Sequence, residues 1–332
     1  MAAKVGILNL EIMVSDLTNF REWPSTWPDT ISHRMATVEF GIHTGQQDTT
    51  LDELRKLWRY CDGAGFKLIT VWDHFHESPP RHGNGVCYES LALLSALALD
   101  TSRSRIGCLC FGMPYRNPAI LAKALTTIDH LSHGRLTVGL GAAWHVPEHE
   151  TYGIPFGSAK ERLDRLSEGV RMVRMLFMED RANFEGTYYQ LRNAPNFPKP
   201  VQARVPIIVG GAGERRTLAI AARWADGSNQ GYISPEAYQH KNDVLDQWCE
   251  RFDRDPRSLE RSIIIHFRMS STGASIGGHQ VEGAITGSVQ EVTDKIGAYV
   301  EAGAQRISIV TRPPVDWEAM GLFVAEVMPK FQ

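Results

Sequence analysis

A chain of 332 residues is long enough for two ordinary domains or one large barrel. With 43% hydrophobic and 22% charged residues it has a globular composition, and a formal net charge of -3 lacks the basic excess that nucleic acid or an anionic membrane requires. No run is long and apolar enough to span a bilayer, and the five cysteines show no metal spacing, so the expected compartment is reducing and cytoplasmic.

Residues 1–34, with REWPSTWPDT inside them, lack the regular alternation that begins at Val38. They read as an N-terminal extension ahead of a single domain over 35–332, with Met35 as a candidate start. From Val38 onward, short apolar runs alternate with amphipathic stretches. VEFGIH (38–43) is a strand, and LDELRKLWRYCDGAG (51–65) a helix closed by glycine. FKLITVWD (66–73) is a strand, 88–100 a helix and RIGCLCFG (105–112) a strand. A helix follows over 117–134, with Pro118 in its first turn and Gly134 past its end. RLTVGLG (135–141) is a strand and 159–177 a long helix, after which 183–202 is a hairpin-like insertion whose prolines bar helix. VPIIVGG (205–211) and DGSNQGY (226–232) are strands around a helix over 214–225. A helix over 235–252 leads to the strand RSIIIHFRMS (261–270). Ser288, with Glu291 three residues on, opens a helix by a capping box. RISIVT (306–311) is the last strand and 317–331 the last helix.

Eight strand–helix units are the number that closes an α/β (β/α)₈ TIM barrel, with the insertion before its fifth strand. Several strands are near-continuous Val/Ile/Leu runs, as expected when both faces are covered. An open doubly wound sheet usually carries G-x-G-x-x-G after its first strand, and VEFGIHTGQQ has none. The nearest match, Gly139-Leu-Gly141-Ala-Ala-Trp144, lacks the third glycine.

A barrel of this kind places its site at the C-terminal ends of its strands. There Gly141–Ala143 lets a flat ligand approach the backbone, and Trp144, His145, Glu148, His149 and Tyr152 supply a polar and aromatic rim. Gly210-Gly211-Ala212-Gly213 precedes a helix, a setting in which converging N–H groups and the helix dipole suit a phosphate, with Arg215 and Arg216 nearby. The alternative is a glycine-rich turn flanked by solvated arginines. His74, ending the second strand, can handle a proton near neutrality, and Asp73 can anchor a ligand or orient His74. As neighbours on a strand the two face opposite ways.

Metal chemistry has two weaker footholds, and no metal is expected. His145-Val-Pro-Glu148-His149 spells the H-x-x-E-H of inverzincin proteases, but Pro147 disfavours the helix that pattern needs. His74, His76 and His266 suggest a metal-dependent barrel hydrolase, a distant alternative lacking further ligands.

Together VWDHF (71–75), SRIGCLCFGMPYRNPAILAK (104–123) and LSHGRLTVGLGAAWHVPEHETYGIPF (131–156) resemble the luciferase-like monooxygenase superfamily. ERLDRL (161–166), PIIVGGAGERRTLAIAARWADG (206–227) and GSVQEVTDKIGAYVEAGA extend the likeness from about Met35 to Phe331. The flavour is that of the branch using the deazaflavin coenzyme F420 rather than FMN. The resemblance implies a luciferase-like barrel and an oxidoreductase that moves a hydride between deazaflavin C5 and a small organic substrate. The alternatives are an FMN-dependent monooxygenase and a non-catalytic flavin-binding protein. It implies His74 as the catalytic acid or base, with Asp73 by the ring. Cys108 and Leu109 would stand at a third-strand bulge with a cis non-prolyl peptide. Phe111, Ala142 and Trp144 would line the cofactor cleft, and Gly210, Gly211, Ala212 and Gly213 would hold the phosphate of its tail. Family members often form dimers, so a homodimer is compatible with it. The glycine-rich stretch 271–285 reads as a lid.

Overall fold

In a computed structural model the described residues are 37–77, 83–269, 284–311 and 314–332, all within one compact unit, His33–Gln332. The expected extension over 1–34 and residues 271–283 of the expected lid lie outside the described residues.

Eight parallel strands form a closed ring. In chain order they are β1 (Glu39–Thr44), β2 (Leu68–Val71), β3 (Arg105–Gly112), β4 (Leu136–Gly141), β7 (Ile207–Gly210), β8 (Gly227–Gly231), β9 (Glu260–Met269) and β11 (Arg306–Thr311). Each pairs with the next, and β11 closes on β1 with Glu39 beside Arg306 and Thr44 beside Thr311. A short strand, β10 (Ile285–Gly287), adds to the upper end of β9. The expected insertion is an antiparallel hairpin, β5 (Arg181–Glu185) with β6 (Gln190–Pro195), ahead of the fifth barrel strand.

Between the strands run α1 (Leu51–Ala64), α2 (Ser90–Asp100), α3 (Pro118–Leu131), α4 (Val146–Thr151), α5 (Ala159–Met178), α6 (Thr217–Trp224), α7 (Pro235–Arg251), α8 (Val289–Glu301) and α9 (Trp317–Leu322). Capping boxes open α1, α5 and α8, at Thr50/Glu53, Ser158/Glu161 and Ser288/Glu291. Each satisfies two backbone donors that the first turn leaves over. Pro118 stands in the first turn of α3, where its missing N–H costs nothing. Among the described residues no helix is long and apolar enough to cross a membrane.

The barrel axis is filled by Leu68, Leu109, Ile208, Ile264 and Val310, with Cys110 against them. Beneath this layer Arg306 closes the N-terminal end, donating to Glu39 at 2.6 and 3.0 Å and to Glu260 at 2.6 Å. The opposite, C-terminal end carries the polar cluster described next.

Candidate active site

Beyond β2 the chain splits its polar residues as strand geometry dictates. Asp73 turns inward, accepting from Ser90 Oγ (2.6 Å), the Gly112 N–H (2.9 Å) and Arg116 Nη1 (2.7 and 2.8 Å). Its side chain has no exposed surface, and these bonds tie the segment after β2 to the end of β3 and to Arg116. Arg116, from the otherwise unremarked PYRNP run, is the missing partner.

His74 faces the other way, with its Nδ1 2.9 Å from Glu148 Oε2. Glu148 is fully buried, and every donor around it comes from another segment. The Tyr115 hydroxyl donates to Oε2 at 2.6 Å, and the Phe75 and His76 N–H groups donate to Oε1 at 2.6 and 3.3 Å. Burial alone would raise this carboxyl, but the His74 and Tyr115 hydrogen bonds and the Phe75 N–H outweigh it and hold it at about 2. Burial first, and then the hydrogen bond to Glu148, push the Tyr115 phenol up. An ionised carboxylate only accepts, so His74 donates to it from Nδ1, which leaves Nε2 as the ring's other site for a proton.

Helix α4 delivers Glu148, and it departs from the expected loop. Pro147 falls in the first turn, where no helical hydrogen bond is lost, so the proline starts the helix instead of preventing it. The turn sets His145 Nδ1 3.5 Å from Glu148 Oε2. His145 is 4% exposed, and its Nδ1 has no hydrogen-bond partner. Burial pushes its pKa down, against the pull of Glu148. His149 is carried to a different side: its Nδ1 meets the Ile154 carbonyl oxygen at 3.2 Å, and its ring lies against Tyr115 and Phe156. The H-x-x-E-H pattern is therefore split, with His74 rather than His149 joining His145 and Glu148.

The floor beside this cluster is the β3 bulge. Its register with β4 shifts between Cys108 and Phe111, and the Leu109–Cys110 peptide is cis. The bulge reverses the strand's alternation. Cys108 and Phe111 have no exposed surface, while Leu109 and Cys110 turn toward the mouth and axis. Glycines on the neighbouring strands β4 and β7 make the room. A Cβ on Gly139 would lie 2.2 Å from the Cys108 oxygen, and one on Gly210 would lie 2.2 Å from Cys110 Sγ.

Above the floor, Ala142 and Ala143 are half-exposed and Trp144 is 59% exposed, its ring 5.5 Å from that of His74. Ala143 holds φ 58° and Tyr232, just past β8, φ 61°. Left-handed backbone is costly for a residue with a side chain, and such positions concentrate at functional sites. Gly211 and Gly213 are exposed, and Gly211 has φ 121°. α6 begins at Thr217, three residues later than expected, after a turn over 214–216. Arg216 is paired with Asp164 of α5, and Arg215 is exposed. A wall of small residues beside the β3 bulge and exposed glycine backbone before a helix fit a planar ring with a phosphate-bearing tail.

A profile of the luciferase-like monooxygenase family matches residues 33–276. The chain therefore belongs to that family, whose reactions are oxidoreductions. An F420-dependent glucose-6-phosphate dehydrogenase from Rhodococcus jostii is 30% identical over 236 residues, covering 69% of this chain and 68% of that protein. Among solved structures, an F420-dependent secondary alcohol dehydrogenase with an F420–acetone adduct superposes with a TM-score of 0.79 at 20% identity, over 89% of this chain and 99% of that one. An FMN-bound type II Baeyer–Villiger monooxygenase from Pseudomonas putida gives 0.71 at 15%, over 90% and 99%. At those identities the two structures speak for the fold.

Proposed function

We propose that the chain is an F420-dependent oxidoreductase acting on a small organic substrate, with His74 as its acid or base. The observation that carries this reading is the His74–Glu148 pair at the barrel mouth, set beside a flat small-residue wall. When bound, the deazaflavin supplies a carbon, C5, that accepts or gives a hydride. Leu109, Cys110, Ala142 and Trp144 would hold its ring, and Gly210, Gly211, Ala212 and Gly213 would hold the phosphate.

The chain's own residues then manage the substrate proton. Glu148 fixes the His74 ring and tautomer, leaving Nε2 to take a proton from a substrate hydroxyl or, once protonated, to return one to a carbonyl oxygen. The charge on Glu148 stabilises the imidazolium in between. The apolar floor and the Trp144 ring exclude water from the reacting face. The glucose-6-phosphate dehydrogenase relative supports the deazaflavin reading, and the substrate itself is left to a screen of alcohols and carbonyl compounds.

Titrating the purified protein with F420 and, separately, with FMN tests the assignment, following intrinsic tryptophan fluorescence, to which Trp144 at the mouth contributes. Micromolar or tighter F420 binding with weak FMN binding is expected. A preference for FMN would replace the proposal with an FMN-dependent monooxygenase, to be followed by oxygen uptake. Binding of neither would remove the flavin reading altogether.

A further inference from the structure

Glu148 Oε2 is the meeting point of two imidazoles, and one of them, His145, approaches it without completing a hydrogen bond. One donor atom from each of His74, His145 and Glu148 lies within 4.8 Å of the other two. The Oε2-to-Nδ1 distances are 2.9 Å to His74 and 3.5 Å to His145. Bonds of about 2.0–2.1 Å from a tetrahedral zinc ion put neighbouring ligand atoms about 3.3–3.4 Å apart, between those two values. We propose that His74, His145 and Glu148 form a binding site for one divalent transition-metal ion of the zinc class.

Two features make the cluster a built site rather than a chance gathering. The first is the buried His145 Nδ1, which lacks a hydrogen-bond partner and thus carries an uncompensated desolvation that an ion would relieve. The second is outer support, since the Phe75 and His76 N–H groups hold Oε1 and so aim Oε2. Two histidines and a glutamate leave a fourth position open. The Tyr115 hydroxyl, 2.6 Å from Oε2, and the His76 ring, 5.1 Å from that of His145, border it.

The ion would replace a proton. A metal–nitrogen bond forms at His74 Nδ1 as its proton leaves to solvent, while His145 coordinates through the lone pair it already has. Nothing is oxidised or reduced. On the proposed reading of His74 as the proton-handling group, on which this consequence rests, an ion there competes with catalysis and makes the site an inhibitory one.

The test uses full-length, chelator-treated protein without deazaflavin, so its outcome is separate from that of the F420 titration. Calorimetry with zinc sulfate should show one ion per chain, and cobalt(II) should give the visible absorption of a tetrahedral site. His145→Ala and Glu148→Gln should each weaken zinc binding at least tenfold, and His149→Ala should leave it unchanged. A wild-type protein that holds no ion overturns the proposal. So does binding that survives in His145→Ala, or is lost in His149→Ala alone. Should a variant fail to fold, zinc-edge X-ray absorption of the loaded wild type reads the donors directly. Two imidazoles with oxygen are expected, and a sulfur-containing or imidazole-free shell would sink the assignment.

Discussion

The two ends of the barrel each hold a charged cluster, and they are built on opposite plans. At the N-terminal end one arginine, Arg306, meets two carboxylates, Glu39 and Glu260, all three contributed by strands of the barrel itself. At the C-terminal end one carboxylate, Glu148, is shared by His74, His145 and Tyr115, and it stands on a short helix outside the strands. The lower cluster closes its polar groups and holds strands together. The upper one leaves buried nitrogens of His145 and His149 without hydrogen bonds. Completed networks stabilise, whereas an incomplete one in a mouth is what a site for chemistry or a ligand looks like.

Substitutions can sharpen this contrast. The largest effect is expected at the mouth: His74→Ala should lower turnover by about 10²–10⁴-fold, the usual contribution of a positioned acid or base. F420 affinity should stay within several-fold, as read by the fluorescence titration. Retained turnover would take His74 out of the chemistry. At the base, Arg306→Ala leaves two carboxylates facing each other and should cost about 3 kcal/mol of stability. Its urea midpoint should fall while F420 affinity holds, and a loss of affinity instead would blur the division between the two ends.

A smaller effect is expected at Asp226, half-buried beside β7. Burial pushes its carboxyl up, but Arg174, Arg204 and the Ile207 N–H outweigh this and hold it below the ordinary range. A carboxyl depressed by folding contributes stability that is complete above its unfolded value, about 3.9, and lost as pH falls through its folded one. Asp226→Asn should therefore be less stable at pH 7, with the gap to wild type narrowing below about pH 4. Urea midpoints between pH 7 and 3 would show it, and a constant gap would mean that the charge is not what matters. Smallest is Ser288→Ala, which removes a side-chain cap from α8 and should cost about 1 kcal/mol with no effect on the mouth.

Much of the fold is legible in the sequence because local signals agree with the tertiary result. RIGCLCFG matches β3 residue for residue, and Ser288 caps α8 as its spacing predicts. The bulge, by contrast, is a local reversal that alternation cannot announce, so Leu109 was named for the cofactor cleft and Cys110, which also packs at the axis, was not. Glu148 was visible as a rim residue, but its role depends on His74, 74 positions away, and on Tyr115. The same holds for Asp73 and Arg116, which lie 43 positions apart. Pro147 misled for a simpler reason, since a proline that breaks a helix interior is welcome in its first turn.

Glu148 also has a bearing on how such a barrel changes over generations. Its donors come from the segments after β2 and β3, and it is itself carried by the segment after β4. A chimera that imports one of these three segments alone strands a buried charge among strangers. The three are therefore a single unit of inheritance, to be exchanged together or not at all.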